Sequence, residues 1–263
     1  SSPDAGIRKE AGLSLSATLK ANDRLLSLIL NTIAKDKEVE DRWRGFVRPV
    51  ASRNLANDVD DEVVDALVSA VNSRNADLSH RYYAMKAGWM GVDRLDWWDR
   101  NAPLPGDDDR QFSWPEAEQI VLDAFTGFDP DMAATAKPFF ERSWIDAAPR
   151  PGKSSGAFSH PVTPSAHPYI LMNFAGKSRD VMTLAHEMGH GVHQCLAAAN
   201  GYLMSDTPLT LAETASVFAE MLAFRQLLDS AEDADTRRVL LAGKVEDMLN
   251  TVVRQIAFHN FET

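Results

Sequence analysis

The chain has 263 residues, enough to bury a substantial core as one large or two small domains. Hydrophobic residues make up 44% and charged residues 25%, ordinary for a soluble globular protein, and no apolar run reaches the length of a membrane span. The formal net charge of −11 argues against nucleic acid or an anionic membrane as a partner and fits a solvated acidic surface.

The start, Ser1-Ser2-Pro3-Asp4, has no basic segment followed by an apolar one, so no signal peptide is expected. Residues 13 to 35, with Leu13, Leu15, Leu19, Leu25, Leu26, Leu28, Ile29 and Ile33, read as one long amphipathic helix. A polar stretch, Lys35 to Asp41, leads to Trp43-Arg44-Gly45-Phe46. After Asn57-Asp58 a second helix is expected, with Asp60 to Glu62 as its acidic first turn and Val63, Val64, Leu67, Ala70 and Val71 as its buried face. Leu78 to Met90 reads as a third helix ending before Gly91, with Tyr82, Tyr83 and Trp89 in its core face. His80 has no partner pattern and reads as structural.

Asp93 to Asp109 is irregular and ends in three aspartates, which lack the oxygen-ligand spacing of a calcium loop and read as solvated. Ser113-Trp114-Pro115-Glu116 is a capping box with proline in the first turn of the next helix. Asp129-Pro130 marks another start, with Pro138 kinking or ending that helix. The β structure expected here is two short strands, Ala157 to His160 and Tyr169 to Phe174, joined by a turn marked by Pro161 and Pro164.

Asp180 to His193 contains His186-Glu187-Met188-Gly189-His190, and residues four apart on a helix stand one turn above each other on one face. Both imidazoles can therefore reach one tetrahedral zinc, with Glu187 beside them as a base. Val181, Leu184, Ala185, Met188, Val192, Cys195 and Leu196 form an apolar stripe on another face, and Ser178 reads as the N-cap. Cys195, the only cysteine, excludes an intrachain disulfide, points to a reducing compartment and reads as inert core. A second helix follows, with Thr207 as N-cap, Pro208 at its first position, and Leu209 through Glu220 within it. Glu213 sits there among apolar and small residues, where a zinc ion would remove the cost of an unpaired carboxylate.

The expected site is therefore one zinc per chain on His186, His190 and Glu213, with an open position for water and Glu187 as general base. His193 shares the ligand stripe; as a fourth ligand it would close the site, so a supporting or substrate-side role is expected, and likewise for Glu220 and Ser216. The edge of the small sheet, Gly156, Ala157 and Phe158 or Tyr169 through Asn173 to Phe174, is expected to bind substrate backbone as an added strand. His160 and His167 read as turn residues.

The run Asp180–His193, followed by Leu211-Ala212-Glu213-Thr214-Ala215-Ser216, resembles the oligoendopeptidase F branch of the thimet oligopeptidase family of zinc metallopeptidases. The interval between His190 and Glu213 is close to that family's and longer than in thermolysin-like enzymes or the large zinc aminopeptidases. Angiotensin-converting-enzyme-like and thermostable-carboxypeptidase-like enzymes share the His-Glu-x-Gly-His helix but usually carry tyrosine where His193 stands; a carboxypeptidase of that kind is the alternative. The resemblance is diffuse over residues 13 to 105 and clear from about 149 to 220. It implies a zinc endopeptidase hydrolysing internal bonds of short peptides, within a mostly helical shell around a deep channel.

The fold class expected is mostly α, with a small sheet next to the active-site helix. Residues 1–105 would form a helical scaffold and 106–263 the zinc core, in a cytoplasmic protein. The family also carries histidine and tyrosine residues downstream of the glutamate ligand that stabilise the oxyanion, and nothing after Glu220 replaces them. Val239, Leu240, Leu241, Val245, Met248, Leu249, Val252, Val253, Ile256 and Phe258 give one or two apolar helices at the end. The chain is thus expected to be a catalytic domain incomplete at its C-terminus, self-associating through exposed apolar surface. A zinc-stabilised binding or scaffold module without turnover is the competing reading.

Overall fold

The computed structural model describes residues 2–104 and 110–263, so the three aspartates Asp107 to Asp109 lie outside the described residues. The chain divides into two compact units, residues 1–107 with 238–263 and residues 108–237. Residues 238–263, grouped with the zinc core in the reading of the sequence, belong to the first unit.

In the first unit the long helix expected over 13–35 is two helices, α1 (Ala5–Ala21) and α2 (Asp23–Arg44). The break is at Asn22, whose side chain donates to the Thr18 carbonyl at 2.8 Å, competing with the helix for its own backbone acceptors. The polar stretch 35–41 stays helical because oppositely charged side chains pair along it at three- and four-residue spacing: Lys35 with Glu38, Lys37 with Asp41, Arg42 with Glu38 and Arg44 with Glu40. Gly45, at φ +75°, stops α2.

A short α3 (Ala51–Ala56) precedes α4 (Asp61–Asn75), which starts at Asp60 as its acidic first turn implies. α4 does not stop before the third helix: it runs through a π turn, Ala76–His80, into α5 (Arg81–Trp89). The apolar face of α4 is not buried, with Val63 57% and Leu67 54% exposed; helical spacing identifies an apolar face but not a neighbour to cover it. Tyr82 is buried as expected, edge-on to Tyr83 and Trp89. The last helix is single, α10 (Ala234–Glu262), and Glu246 on it accepts from the Tyr82 hydroxyl at 2.8 Å and from the fully buried Lys86 ammonium at 2.7 Å.

In the second unit α6 (Trp114–Phe128) begins on the expected capping box. The Ser113 hydroxyl accepts from the Glu116 N–H, and the Glu116 carboxylate accepts from the Ser113 N–H at 2.7 Å. α7 (Pro130–Glu141) starts at Asp129 and carries Pro138 inside it without stopping there. Val121, Phe125, Phe139, Ile170, Met172, Val181, Leu184 and Met188 form the buried core between these helices, the sheet and α8 (Ser178–Ala197).

The sheet has three strands rather than two, in the order β1 (Ile145–Asp146), β3 (Tyr169–Leu171), β2 (Phe158–His160). β1 runs parallel to β3, and β2 antiparallel to it in the register Ser159 with Ile170. β3 is therefore central, which corrects the expectation that Tyr169 to Phe174 offers an unpaired edge: that edge is filled by β1. Beyond it, the Phe174 N–H donates to the Ala147 carbonyl at 2.9 Å.

Candidate metal centre

α8 presents its histidines because its other faces are committed to packing. Val181, Leu184, Ala185, Met188 and Val192 are buried, and Cys195 is half-buried with its thiol pushed up by burial, as an inert core residue should be. Leu196, counted on the apolar stripe, is instead 65% exposed, so the stripe ends at Cys195. The helix starts one residue earlier than a Ser178 cap would give. The Asp180 carboxylate closes the turn by accepting from the N–H groups of Ala175 at 2.8 Å and Lys177 at 3.0 Å.

The partner helix α9 (Leu209–Ser230) shifts the other way and begins one residue later than a Thr207 cap would give. Pro208 occupies the cap position and its carbonyl accepts from Leu211 and Ala212, while the Thr207 N–H donates to the Asp206 carboxylate. α8 and α9 meet at bare backbone. A Cβ on Gly189 would lie 2.6 Å from the Ala219 Cβ, 2.8 Å from the Ala215 carbonyl oxygen and 2.9 Å from the Ser216 Cα. On the same helix, a Cβ on Gly191 would lie 2.8 Å from the Phe139 ring. The glycine crossing lets α9 approach closely enough to carry Glu213 over the two histidines.

The donor atoms of His186, His190 and Glu213 all lie within 4.8 Å of one another. The Glu213 carboxylate is 3.3 Å from His186 Nε2 and 3.6 Å from His190 Nε2, and the other ring nitrogen of His186 is 3.3 Å from the Glu220 carboxylate. Two imidazole nitrogens and one carboxylate are the donor set of a catalytic zinc site. A carboxylate on the far nitrogen of a ligand histidine fixes its tautomer and ring orientation. The residues fit a zinc ion, and among the described residues this is the group that could hold a metal.

The electrostatics follow from burial and three carboxylates. Burial pulls His186 down, but Glu220, Glu187 and Glu213 outweigh it and its basicity rises; burial lowers His190, with Glu213 opposing. Glu187 is 6% exposed, and burial pushes its carboxyl up to about 7, with the Glu213 charge adding to the rise and His186 and a backbone hydrogen bond from Ser159 opposing it. A carboxyl poised there can both take and return a proton near neutral pH.

Of the other expected residues, Glu220 and Ser216 are brought to the centre, the Ser216 hydroxyl donating to Glu213 Oε2 at 2.8 Å. His193 is half-buried and close enough to disfavour a charge on His190, but it is not among the converging donors. Phe158 lies on edge strand β2 beside α8, half exposed, with Ala157 before it. Gly156, at φ +85°, and Ser154 offer their carbonyls to the Asn173 amide at 3.1 and 2.9 Å, so Asn173 holds the preceding loop to the sheet. Tyr169 is half exposed on the central strand, against His167, whose ring stacks on Trp144 at 3.7 Å. His160, expected in a turn, is instead the last residue of β2, in register with Tyr169, and its Nδ1 accepts from the Val162 N–H just beyond the strand.

Sequence reasoning missed Gln194 and Ser159. The Gln194 carbonyl oxygen accepts from the Ser159 hydroxyl at 2.8 Å, and its amide donates to the Ser159 carbonyl at 3.2 Å. With Ser159 also bonded through its backbone to Glu187, α8 is joined to the edge strand at two points one heptad apart on one face. No sequence spacing signals this pairing, because the two residues belong to different elements.

The sequence pattern of peptidase family M3 matches residues 1–263. Oligopeptidase PepF of Bacillus subtilis (strain 168) is 31% identical over 207 residues, covering 78% of this chain and 31% of its own length. An oligoendopeptidase F homolog of Lactococcus lactis subsp. lactis (strain IL1403) is 29% identical over 262 residues, 99% of this chain and 43% of its own. The chain thus spans less than half the length of the curated relatives it matches. A solved structure of PZ peptidase A with inhibitor 2 superposes with a TM-score of 0.82 at 18% identity, over 99% of this chain and 47% of that one, a likeness of fold.

Proposed function

The chain belongs to peptidase family M3, and from that premise we propose that it carries the centre of a zinc-dependent oligoendopeptidase that hydrolyses internal bonds of short peptides. The observation that supports this most is the convergence of His186, His190 and Glu213 within 4.8 Å, beside a buried Glu187 held near neutrality. His186, His190 and Glu213 would hold the metal, and Glu220 would orient His186. When bound, zinc supplies Lewis acidity toward a peptide carbonyl and lowers the pKa of a coordinated water. Glu187 takes the proton of the attacking water and returns it to the leaving amine. Gly156, Ala157 and Phe158, at the start of the edge strand, would receive substrate backbone, and Tyr169 and His193 would face the substrate from beside it.

Hydrolysis of an internally quenched peptide, with and without chelator, tests the reading. Cleavage should be lost on chelation and restored by zinc, while Glu187→Gln should keep the metal and lose at least about 10²-fold in kcat, as expected for loss of a general base. Cleavage unaffected by chelator, or by Glu187→Gln, would refute it. Metal uptake with no cleavage, even by a chain extended to the length of the relatives, would favour a zinc-stabilised binding module.

A further inference from the structure

We propose that Ser216 is a positioning residue that holds the Glu213 carboxylate in the orientation required for metal binding, an inference that rests on the zinc reading above. Ser216 is fully buried, 0% exposed, on α9 where that helix crosses α8 at Gly189. Its hydroxyl lies 2.8 Å from Glu213 Oε2 and 3.1 Å from the Glu213 carbonyl oxygen. A hydroxyl has one proton, and the shorter, charged acceptor is the stronger one. The bond therefore goes to the side chain rather than being only the local backbone bond that serine makes on helices.

The need for such a bond comes from the exposure of Glu213. Its side chain is 51% exposed, so packing does not select among its rotamers, whereas His186 and His190 are 27% and 14% exposed and held by their own helix. Without a partner the carboxylate would lose rotamer freedom on meeting the metal. With Ser216 donating, Oε2 is already 3.3 Å from His186 Nε2 and Oε1 3.6 Å from His190 Nε2. The backbone that carries the hydroxyl is held in place, because the Ser216 Cα sits against Gly189 with no room for a Cβ between them. The carboxylate is thus oriented from α9 by a residue fixed at the crossing that also fixes the histidines.

The test is cobalt(II) binding by the metal-free 263-residue chain, measured in competition with a chromophoric chelator, so that no peptidase activity is needed. Ser216→Ala should weaken cobalt binding by about 10-fold, the lower end for loss of a group that orients a ligand. Alanine is smaller than serine and a stronger helix former, so the metal-free melting temperature should not fall. In a Glu213→Ala background the same substitution should cost nothing further, because the carboxylate it acts on is gone. Equal affinities for the wild type and Ser216→Ala, or an equal loss in both backgrounds, would overturn the assignment while leaving the metal centre standing. A wild-type chain that binds no cobalt would overturn the zinc reading and this inference with it.

Discussion

At position 187 a carboxyl sits 6% exposed beside two histidines, and burial raises its pKa from 4.5 to about 7. A carboxyl whose folded pKa is raised binds its proton more tightly in the native state than in the unfolded one. Its contribution to stability is therefore present below about pH 4.5 and is lost as pH rises toward 7. Chelator-treated protein should lose about 2–3 kcal/mol from this group over that interval, at about 1.4 kcal/mol per unit. Glu187→Gln, which cannot ionise, should be the more stable of the two at pH 8 and not at pH 4. Denaturant unfolding at both pH values checks the sign, and a wild type that gains on the variant as pH rises would contradict the burial argument. The residues of this centre were legible because their spacing is imposed by one helix: His186, Glu187 and His190 follow from the α-helical turn alone. Glu213 needed a second signal, an acid among apolar neighbours, but the burial inferred from those neighbours is not found, its side chain being 51% exposed. Gln194 and Ser159 were not legible, since their pairing depends on how a strand is placed against a helix, which no local pattern encodes.

At the scale of elements, the centre depends on the crossing of α8 and α9. A methyl group at Gly189 would come within 3 Å of the Ala215 carbonyl and the Ser216 Cα, backbone atoms that can move only with the whole of α9. Gly189→Ala should therefore destabilise the metal-free chain by about 1–3 kcal/mol, the usual range for overpacking. It should also weaken metal binding, because the displaced helix carries Glu213. Thermal melting and zinc titration of the variant measure the two effects. Unchanged melting would mean that the helices tolerate a wider spacing and that the glycine does not set the geometry. Helix starts marked by side-chain caps, such as Ser113 with Glu116 and Asp129, were readable because the cap is local in sequence. The starts of α8 and α9 slipped by one residue because Asp180 and Pro208 satisfy the backbone in place of the expected Ser178 and Thr207. β1 could not be read at all: two residues have no alternation to detect, yet their pairing makes Tyr169–Leu171 a central strand.

For the whole molecule, sequence patterning carried the helical class and the sheet beside α8, but not which apolar faces are covered. α1 and α2 carry Leu13, Leu19, Leu28, Ile29 and Ile33 at 47–63% exposure, and Val63 and Leu67 of α4 are similarly open. Apolar area of this extent on charged, amphipathic helices favours association. Purified residues 1–263 should show concentration-dependent species larger than a monomer in light scattering, and a strict monomer across that range would count against it. The proposed centre itself is open to a more direct measurement, namely whether one zinc ion is held by His186, His190 and Glu213. Zinc-edge anomalous diffraction, or metal analysis of the purified protein, measures it. The expected result is one zinc per chain between these three side chains, abolished in a His190→Ala, Glu213→Ala double variant. Full zinc occupancy persisting in that double variant, or zinc bound through other residues, would contradict it.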